Sequence, residues 1–446
     1  MTTTLELDRP TAARRVPTGI KQAGRLESVF DQNSWRRWPP CVFGLLIDGD
    51  LDVSLIQRAL TCVARRHASL RTYFPDHGAV DHGVCLAAET IEWPVEVIDL
   101  RELTGPALAA AQTRSQLALQ EYFDPTRTPL IRAQLLRFGD KRWQLGLAVD
   151  HLVFDGSSIA VLFDELELVY RELRRGGDES RLAVEISDFS AFCAEERQVL
   201  RGPLALNALE YWRPIWDGVG PYPPAGLPML AEAPNPDARP TGAIWSRKLP
   251  LAALEAARSG SACGYVSPFT QAASAVLFAL GEMTGRADRA LLYTSSRRFT
   301  AQATEMIGDL TDKCLLRVHA EPGLGFDEHT ALVRDAVLDA ADHAETPFEF
   351  LRETLLPNRA DHRPKGPFII LNVDSPPSAP RLDGLSVRTA WPIDADVFSE
   401  CTWLAVELER TDAEWVTLSC GFQSTLFDER VIDQFMTRVA ASLIRI

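Results

Sequence analysis

A histidine followed four residues later by an Asp-Gly pair is the feature of this sequence best suited to chemistry. His151, Asp155 and Gly156 form the pattern His-x-x-x-Asp-Gly. Imidazole has the unperturbed pKa nearest to neutrality, so His151 can take a proton from an amine or alcohol and return it later in the same reaction. Asp155 is placed to pair with or orient another group, and Gly156 lets the backbone come close to a ligand. The pattern predicts a site at which a proton is moved.

The motif is expected in a turn between a strand and a helix. Residues 143–149 alternate in polarity and are rich in strand formers, which predicts a strand. Beyond the motif, apolar residues at helical spacing predict a helix over 158–173; they are Ile159, Leu162, Phe163, Leu166 and Tyr170. A turn at the end of a strand would let His151 meet a substrate.

This motif and several further segments, in family order, resemble the condensation domains of nonribosomal peptide synthetases, which belong to the carrier-dependent acyltransferases built on the chloramphenicol acetyltransferase fold. The family motif is His-His-x-x-x-Asp-Gly; this chain keeps the second histidine, His151, and has Asp150 in place of the first. The other segments that carry the resemblance are Arg66 to Phe74, Phe123 to Arg132, Ser187 to Phe192, Ile307 to Asp312 and His343 to Glu349. Together they cover roughly residues 20–440.

The resemblance implies an α/β fold. It consists of two chloramphenicol acetyltransferase-like subdomains that form a V-shaped pseudo-dimer with a central active-site tunnel, each mouth of which admits one substrate. A length of 446 residues also favours two domains. The helix stop at Arg174-Arg175-Gly176-Gly177, followed by a polar stretch, sets the predicted boundary. Residues 1–178 are then the N-terminal subdomain with the His-x-x-x-Asp-Gly motif, and residues 179–446 are the C-terminal subdomain.

Local signals place several other elements. Asp52 is expected to cap a helix that runs to about residue 67, and Ser267 to cap another that ends at Gly285. Residues 130–137 and 143–149 resemble a hairpin. The segment 218–240 contains seven prolines and three glycines, which predicts a connection without regular structure.

The reaction implied by the resemblance is attack of an amine or hydroxyl on an acyl thioester, which gives an amide or ester and a free thiol. His151 is the expected catalytic residue, as a general base or as a hydrogen bonder that positions the nucleophile. Gly156 is the second catalytic candidate, because its amide can serve as an oxyanion donor. In the family the motif aspartate forms a structural salt bridge, so Asp155 is expected to pair with Arg297 or Arg298.

Three positions need a separate interpretation. Asp150 is expected to support the site structurally, as the family's first histidine does, yet Asp150, Asp155 and Ser158 also spell the Asp-x-x-x-x-Asp-x-x-Ser pattern of heterocyclisation domains. Ser158 is a candidate for substrate binding, and so is Asp312, where the family prefers asparagine. His343 is interpreted as a packing and hydrogen-bonding residue rather than as a second base.

The resemblance also implies the partners. The acyl donor would be a phosphopantetheine thioester on a separate acyl or peptidyl carrier protein, and the acceptor a small-molecule amine or alcohol. No bound cofactor is expected, and no metal, because the eight cysteines are scattered singly without a Cys-x-x-Cys pair. The chain ends after its last helix without an adenylation or carrier domain, so we expect a free-standing enzyme of natural-product biosynthesis.

Charge and hydropathy limit the other partners. A net charge of −15 argues against nucleic acid, since neutralising phosphates requires a positive surface. The sequence has no apolar run near the ~20 residues of a membrane span and no signal-peptide pattern at its start, which predicts a cytoplasmic protein without a membrane partner. Docking an acidic carrier would need a local basic patch; the candidates are Arg36, Arg37, Arg171, Arg174 and Arg175.

Three alternatives stay open at this stage. The chain could use coenzyme A thioesters, although the Asp-Phe-Gly-Trp-Gly motif of the plant branch of such acyltransferases is absent. It could condense and then cyclise its product, as the heterocyclisation pattern indicates. It could also be a non-catalytic module that recruits a partner to an assembly line, an interpretation motivated by the replaced first histidine.

Overall fold

The structure is a computed structural model that describes residues 13–30, 39–75, 80–183, 185–186, 189–230, 241–358, 362, 364–390 and 403–445. Its contacts divide the chain into two compact units. The first comprises Met1–Arg201, Ser296–Thr311 and Pro377–Pro392, and the second comprises Gly202–Ser295, Asp312–Pro376 and Ile393–Ile446. The first unit therefore takes two segments from the second half of the sequence.

Strands and helices alternate along most of the chain. The elements of the first 201 residues are β1 (Arg14–Pro17), α1 (Ile20–Phe30), β2 (Cys41–Asp48), α2 (Val53–Arg66), β3 (Thr72–Tyr73), β4 (His82–Cys85), β5 (Val95–Asp99), α3 (Gly105–Gln120), β6 (Ile131–Gly139), β7 (Arg142–Val149), α4 (Ser158–Arg174), α5 (Glu179–Leu182) and α6 (Phe189–Val199). Those that follow are α7 (Pro203–Trp216), β8 (Gly242–Pro250), α8 (Leu251–Ser259), α9 (Pro268–Thr284), β9 (Asp288–Ser295), α10 (Ala301–Thr304), β10 (Asp312–His319), α11 (Phe326–Ala341), α12 (Phe348–Leu355), β11 (Phe368–Asp374), β12 (Ser386–Ala390), β13 (Trp403–Arg410), β14 (Trp415–Gln423) and α13 (Glu429–Leu443).

The main sheet of the first unit has the strand order β12-β2-β7-β6-β5. Strands β6 and β7 form the predicted hairpin, and β5 runs parallel to β6 while the other neighbours are antiparallel. Alternation along β2 directs Phe43, Leu45 and Ile47 into the core. Helices α2 and α4 pack against each other beside this core. The ring of Phe43 stacks on Phe154 with centroids 5.6 Å apart, which fixes the segment that carries the His-x-x-x-Asp-Gly motif.

The second unit contains a six-stranded sheet with the order β10-β9-β11-β13-β14-β8. Strand β11 is parallel to both of its neighbours, and the remaining pairs are antiparallel. Helix α9 packs against α11 and α13. Ser267 Oγ accepts a hydrogen bond of 3.0 Å from Thr270 N at its start, and Gly285, with φ of 66°, ends it. Both predicted ends of this helix are confirmed.

The predicted α/β architecture of two sheet-and-helix units is confirmed, whereas the V shape and the tunnel stay predictions. The two units differ from the predicted division at residue 178. Gly176, with φ of 82°, follows the end of α4 as expected, but α6 then packs against β1 and α1. The chain therefore continues in the first unit as far as residue 201.

Other predictions fall partly outside the described residues. Residues 218–230 have no helix or strand, as expected, and the rest of the predicted irregular segment, 231–240, is not described. Arg36, Arg37, Ser187 and Asp188 also lie outside the described residues. In the part of the chain that is described, no helix is both long and apolar enough to cross a bilayer.

The cap of α2 gives a direct test of the sequence interpretation. Asp52 Oδ1 accepts a hydrogen bond of 3.1 Å from Leu55 N. We expect Asp52→Ala to lower the free energy of unfolding by about 1 kcal/mol, because an amide at the start of the helix loses its acceptor. Urea unfolding followed by circular dichroism measures the difference. The matched control is Asp50→Ala, which removes only an exposed partner of Lys141; an equal loss in both variants would contradict the role of the cap.

Candidate active site

His151 lies in a tight turn directly after β7. Asp150 Oδ1 accepts a hydrogen bond of 2.7 Å from Leu152 N, and the carbonyl of Asp150 accepts one of 3.1 Å from Val153 N. A short acceptor side chain that bonds the backbone two residues on is a common way to close such a turn. Asp150 thus shapes the turn that presents the half-buried His151.

The contacts of the imidazole define its tautomer. Nδ1 of His151 lies 3.1 Å from the carbonyl oxygen of Phe154. A carbonyl can only accept, so Nδ1 carries the proton and Nε2 carries the lone pair. Cys41 Sγ lies 3.4 Å from Nδ1 and 3.3 Å from Nε2. A sulfur almost equidistant from both nitrogens is in line with neither the Nδ1–H bond nor the Nε2 lone pair, so Nε2 keeps its acceptor direction.

The surroundings keep this imidazole neutral. Burial lowers the pKa of His151 to about 3, and the charges of Arg25 and Lys21 act in the same direction. Burial also raises the pKa of the Cys41 thiol, so the cysteine is protonated and is a poor nucleophile. The site therefore offers a neutral hydrogen-bond acceptor rather than an imidazolium or a thiolate.

A cavity of about 150 Å³ borders the histidine within the first unit. His151 and Asp150 line it together with Arg25, Tyr122 and Phe123. At about 30 Å³ per water molecule, this space holds roughly five waters or a small polar group. A reacting atom in the cavity would lie beside the histidine.

Asp150 has an unusual protonation equilibrium in this cavity. Burial raises its pKa to about 6, although the hydrogen bond from Leu152 N and the charge of Arg25 oppose the shift. The carboxyl therefore changes its charge just below neutral pH.

The carboxylate of Asp155 accepts hydrogen bonds from several donors at once. Asp155 is 1% exposed, and its carboxylate accepts two hydrogen bonds of 2.8 and 2.9 Å from Arg298. Further donors are Ser158 N at 2.8 Å, Thr311 N at 2.8 Å, Thr311 Oγ1 at 2.9 Å and Leu310 N at 3.0 Å. Burial raises the pKa of Asp155, but the charge of Arg298 and these bonds outweigh it and lower the pKa to about 2. Asp155 is thus ionised, and Arg298 is its partner.

Arg297, the other candidate partner, points elsewhere. Its φ of 52° lies in the left-handed region, which costs a residue with a side chain roughly 1–2 kcal/mol. As a result, the side chains of Arg297 and Arg298 point in different directions. Arg297 Nη1 donates to Glu196 at 2.7 Å, and Glu196 also accepts a bond of 2.8 Å from Ile20 N at the start of α1. Arg297 supports helix α1 rather than Asp155.

Ser158 is fully buried and belongs to the Asp155 network. Its Oγ lies 2.7 Å from Asp155 Oδ1 and accepts bonds of 3.0 Å from Arg298 and 3.1 Å from Gly308 N. Its side chain has no exposed surface and supports the Asp155 carboxylate. Substrate binding by Ser158 stays a prediction.

Asp312, in the second unit, is also engaged with the backbone. It is 4% exposed, and it accepts bonds of 2.8 Å from Lys313 N and 3.0 Å from Phe348 N. The second bond satisfies an amide at the start of α12, so Asp312 caps this helix, and its substrate contact stays a prediction. His343 stacks on Tyr211 with centroids 3.8 Å apart, a packing role of the kind expected for it.

Gly156 is exposed, and a Cβ at this position would meet no atom within 4 Å. Among the described residues, no group accepts a hydrogen bond from its amide. The protein itself therefore has no steric need for glycine here. Close approach of a substrate to the backbone would require a glycine here, and this agrees with the predicted role of the Gly156 amide as an oxyanion donor.

Sequence reasoning did not identify the charged residues that face the motif from α1. Lys21 Nζ lies 2.6 Å from Asp309 Oδ1, and Arg25 Nε lies 3.1 Å from Asp309 Oδ2. Gln22 Nε2 donates to the carbonyl of Leu152 at 2.5 Å, which joins α1 to the turn. Asp309 is part of the segment Ile307 to Asp312 that resembles the family, whereas α1 carries no such signal.

The arginines proposed as a basic patch at the end of α4 already have protein partners. Arg174 donates to the carbonyl of Asp383, and Arg171 and Arg175 each lie 3.6 Å from Glu172. One carboxylate faces two of these arginines, and the partner of Arg174 is a neutral carbonyl, so the cluster keeps a net positive charge and its role as a docking surface stays a prediction. The described residues include no group of three or more side chains able to hold a metal ion.

Comparison with known proteins identifies relatives along most of the chain. The family model named Condensation domain matches residues 42–446. A linear gramicidin synthase of Brevibacillus parabrevis is 31% identical over 315 residues, which are 69% of this chain and 4% of that protein. Chondramide synthase cmdD of Chondromyces crocatus is 32% identical over 328 residues, which are 72% of this chain and 8% of that protein. The chain thus spans only a small part of these relatives.

Solved structures show the same fold. The X-domain from teicoplanin biosynthesis has a TM-score of 0.79 at 23% identity and covers 98% of this chain and 96% of its own. The same X-domain has been solved in complex with OxyB, with a TM-score of 0.76 at 23% identity, covering 98% of this chain and 94% of that one. The first condensation domain of the calcium-dependent antibiotic synthetase, in complex with a substrate analogue, has a TM-score of 0.74 at 21% identity and covers 97% of both chains.

Removing one partner of the Asp155–Arg298 pair should be more harmful than removing both. We expect Asp155→Ala to lower the free energy of unfolding by about 3–5 kcal/mol, because a buried guanidinium is left without its counter-ion. Adding Arg298→Met should restore part of this loss, and urea unfolding of the single and double variants measures the coupling. Additive losses would contradict a direct interaction.

Asp150→Asn should stabilise the protein at and above neutral pH. Between about pH 4 and 6 the folded chain keeps a proton on Asp150 that the unfolded chain has lost, so stability falls as pH rises through this window. Asparagine cannot ionise and still accepts from Leu152 N. We expect a gain of about 1–3 kcal/mol at pH 8 that disappears near pH 4, measured by urea unfolding at both values. A loss of stability at pH 8 would refute the shift.

Proposed function

The chain belongs to the condensation-domain family, and on this premise we propose that it transfers an acyl or aminoacyl group from a carrier-protein thioester to an amine or alcohol. The product is an amide or an ester, and the other product is the free thiol of the carrier. Family membership supports acyl transfer and the use of a carrier protein. The finer parts of the proposal are a separate carrier, a small-molecule acceptor, a free-standing cytoplasmic enzyme and a role in natural-product biosynthesis.

The observation that carries the proposal is the fixed tautomer of His151 beside the cavity. With Nδ1 donating to Phe154 O, Nε2 can accept a hydrogen bond from a nucleophile in the adjacent space. As the nucleophile attacks the thioester carbonyl, its proton moves to Nε2. When the tetrahedral intermediate collapses, the carbon–sulfur bond breaks and the thiolate takes that proton.

The low basicity of His151 decides whether proton transfer or orientation of the nucleophile is its larger contribution to catalysis. With a pKa of about 3, the imidazole is a weak base, so it holds the proton only briefly. Orientation of the nucleophile is then its main contribution, and positioning can supply up to ~7–11 kcal/mol in ideal cases. The exposed amide of Gly156 is the proposed donor to the oxyanion.

A second candidate function is recruitment without catalysis. It is favoured by the replacement of the first motif histidine by Asp150 and by the likeness to an X-domain solved in complex with OxyB. Against it stands the retained set of His151, Asp155 and Gly156. Binding of a partner without turnover would distinguish it from acyl transfer.

The first test compares wild type with His151→Ala on an acyl-loaded carrier and a panel of amines and alcohols. We expect kcat to fall by about 10²-fold or more, with little change in KM for the carrier, because the histidine acts on the nucleophile. His319→Ala, which alters an exposed histidine of the second unit, is the matched control. Equal turnover by wild type and His151→Ala would remove this residue from the mechanism.

The same assay separates the alternatives. Acyl-coenzyme A used in preference to acyl-carrier would establish a coenzyme A-dependent enzyme, and a cyclised product from Cys, Ser or Thr would establish heterocyclisation. Tight carrier binding without product under any acyl load would favour recruitment. Gly156→Ala should fold like wild type, since nothing lies near the added methyl group, so a slower reaction would support its contact with substrate.

A further inference from the structure

A cavity of about 840 Å³ lies within the second unit. Its walls are the end of α7, the Pro- and Gly-rich segment 217–225, the end of α9 and the start of β9. Cavities of roughly 300–1,000 Å³ are typical of small-molecule sites. None of its lining residues belongs to the first unit, which carries His151.

Cationic side chains predominate around this cavity. Four of them line it, Arg213, Arg286, Arg289 and Lys365, against the two carboxylates Asp217 and Asp288. Asp288 is already paired, because both of its oxygens lie 2.8 Å from nitrogens of Arg317. In a chain of net charge −15, the cavity is therefore locally positive.

Arg289 is a buried cation without a carboxylate partner among the described residues. It is 8% exposed and donates to two carbonyls, Leu277 O at 3.0 Å and Ala320 O at 2.6 Å. Its Nε has no acceptor in the part of the chain that is described. Burial lowers its pKa, as expected where no anion compensates the charge.

Local sequence makes room for this guanidinium and holds the cavity wall. A Cβ on Gly281 would lie 2.1 Å from Arg289 Nη1, so only glycine in α9 lets the guanidinium lie against the helix. Arg317 donates to the carbonyls of Ile215 at 3.1 Å and Asp217 at 2.9 Å, which fixes the chain where α7 ends. The wall is thus held in place before any ligand binds.

Proline side chains form another part of the wall. Pro214 and Pro224 are exposed and line the cavity, whereas Trp216 and Tyr222 border it with only 2% and 3% of their surface exposed. Apolar surface next to guanidinium groups fits a ligand with an organic body and an anionic head.

We propose that this cavity binds a small organic phosphate monoester, with the phosphate held by the exposed Arg213 and Arg286, the charge of the buried Arg289 adding to the attraction, and the organic body against Pro214 and Pro224. A phosphate dianion balances the excess of cations, and its oxygens can accept from several guanidinium groups at once. The site is independent of the proposed acyl transfer, since it lies within the second unit.

The test is isothermal titration of the full chain with phenyl phosphate as the probe. We expect saturable 1:1 binding that weakens with added salt. Arg213→Ala and Arg286→Ala change exposed residues that should not affect folding, and each should weaken binding by about tenfold or more, as expected for loss of a charge-assisted hydrogen bond. Arg247→Ala removes an exposed arginine of the same unit outside the cavity and should leave binding unchanged.

Comparison probes decide the ligand class. Inorganic phosphate should bind more weakly than phenyl phosphate because it lacks the body, and benzoate more weakly because it carries a single charge. Absence of saturable phenyl phosphate binding, or equal weakening by Arg247→Ala and Arg286→Ala, would overturn the site. Benzoate binding as tight as phenyl phosphate binding would overturn the phosphate assignment.

Discussion

The buried carboxylate of Asp155 is the constraint on which the candidate active site depends. Six hydrogen bonds converge on it, two from Arg298, two from Thr311 and one each from the amides of Leu310 and Ser158, and a seventh contact comes from the hydroxyl of Ser158. A carboxylate with 1% exposure is tolerated only when its acceptor positions are filled in this way. The network joins the start of α4 to residues more than 140 positions later. It fixes the turn in which Phe154 O then orients His151.

The charges around His151 explain why its role is that of a neutral acceptor. Lys21 and Arg25 are held close by Asp309, and both disfavour a proton on the imidazole. Arg25, which lines the adjacent cavity, would favour developing negative charge there, as a tetrahedral oxyanion requires, whereas Asp150 opposes it once ionised. The charge of Arg25 therefore both weakens the histidine as a base and favours the intermediate of acyl transfer. Positioning and electrostatics, rather than basicity, are the contributions that this geometry can make.

The sequence predicted features that depend on residues close together in the chain, but not contacts between residues far apart in it. Local signals were sufficient for the cap at Asp52, the ends of α9, the hairpin of β6 and β7, and the turn that holds His151. Long-range pairing was not accessible in this way: the sequence left the partner of Asp155 open between Arg297 and Arg298, because the left-handed φ of Arg297 that separates them has no signature in a non-glycine residue. The pairing of strand β12 with β2 is also long-range, and the sequence did not predict it. The burial of Ser158 was also not visible in the sequence, because a motif shows spacing and not burial.

Asp150 combines a structural task with a charge that changes near neutral pH. The side chain of Asp150 accepts a hydrogen bond from the amide of Leu152. An oxygen on a short side chain is sufficient for this contact. The aspartate also adds a carboxyl that ionises near pH 6, in the same cavity as His151 and Arg25. Above that pH, its charge favours a cationic or hydrogen-bond-donating group in the cavity. An amine nucleophile matches that requirement better than an anionic acceptor does.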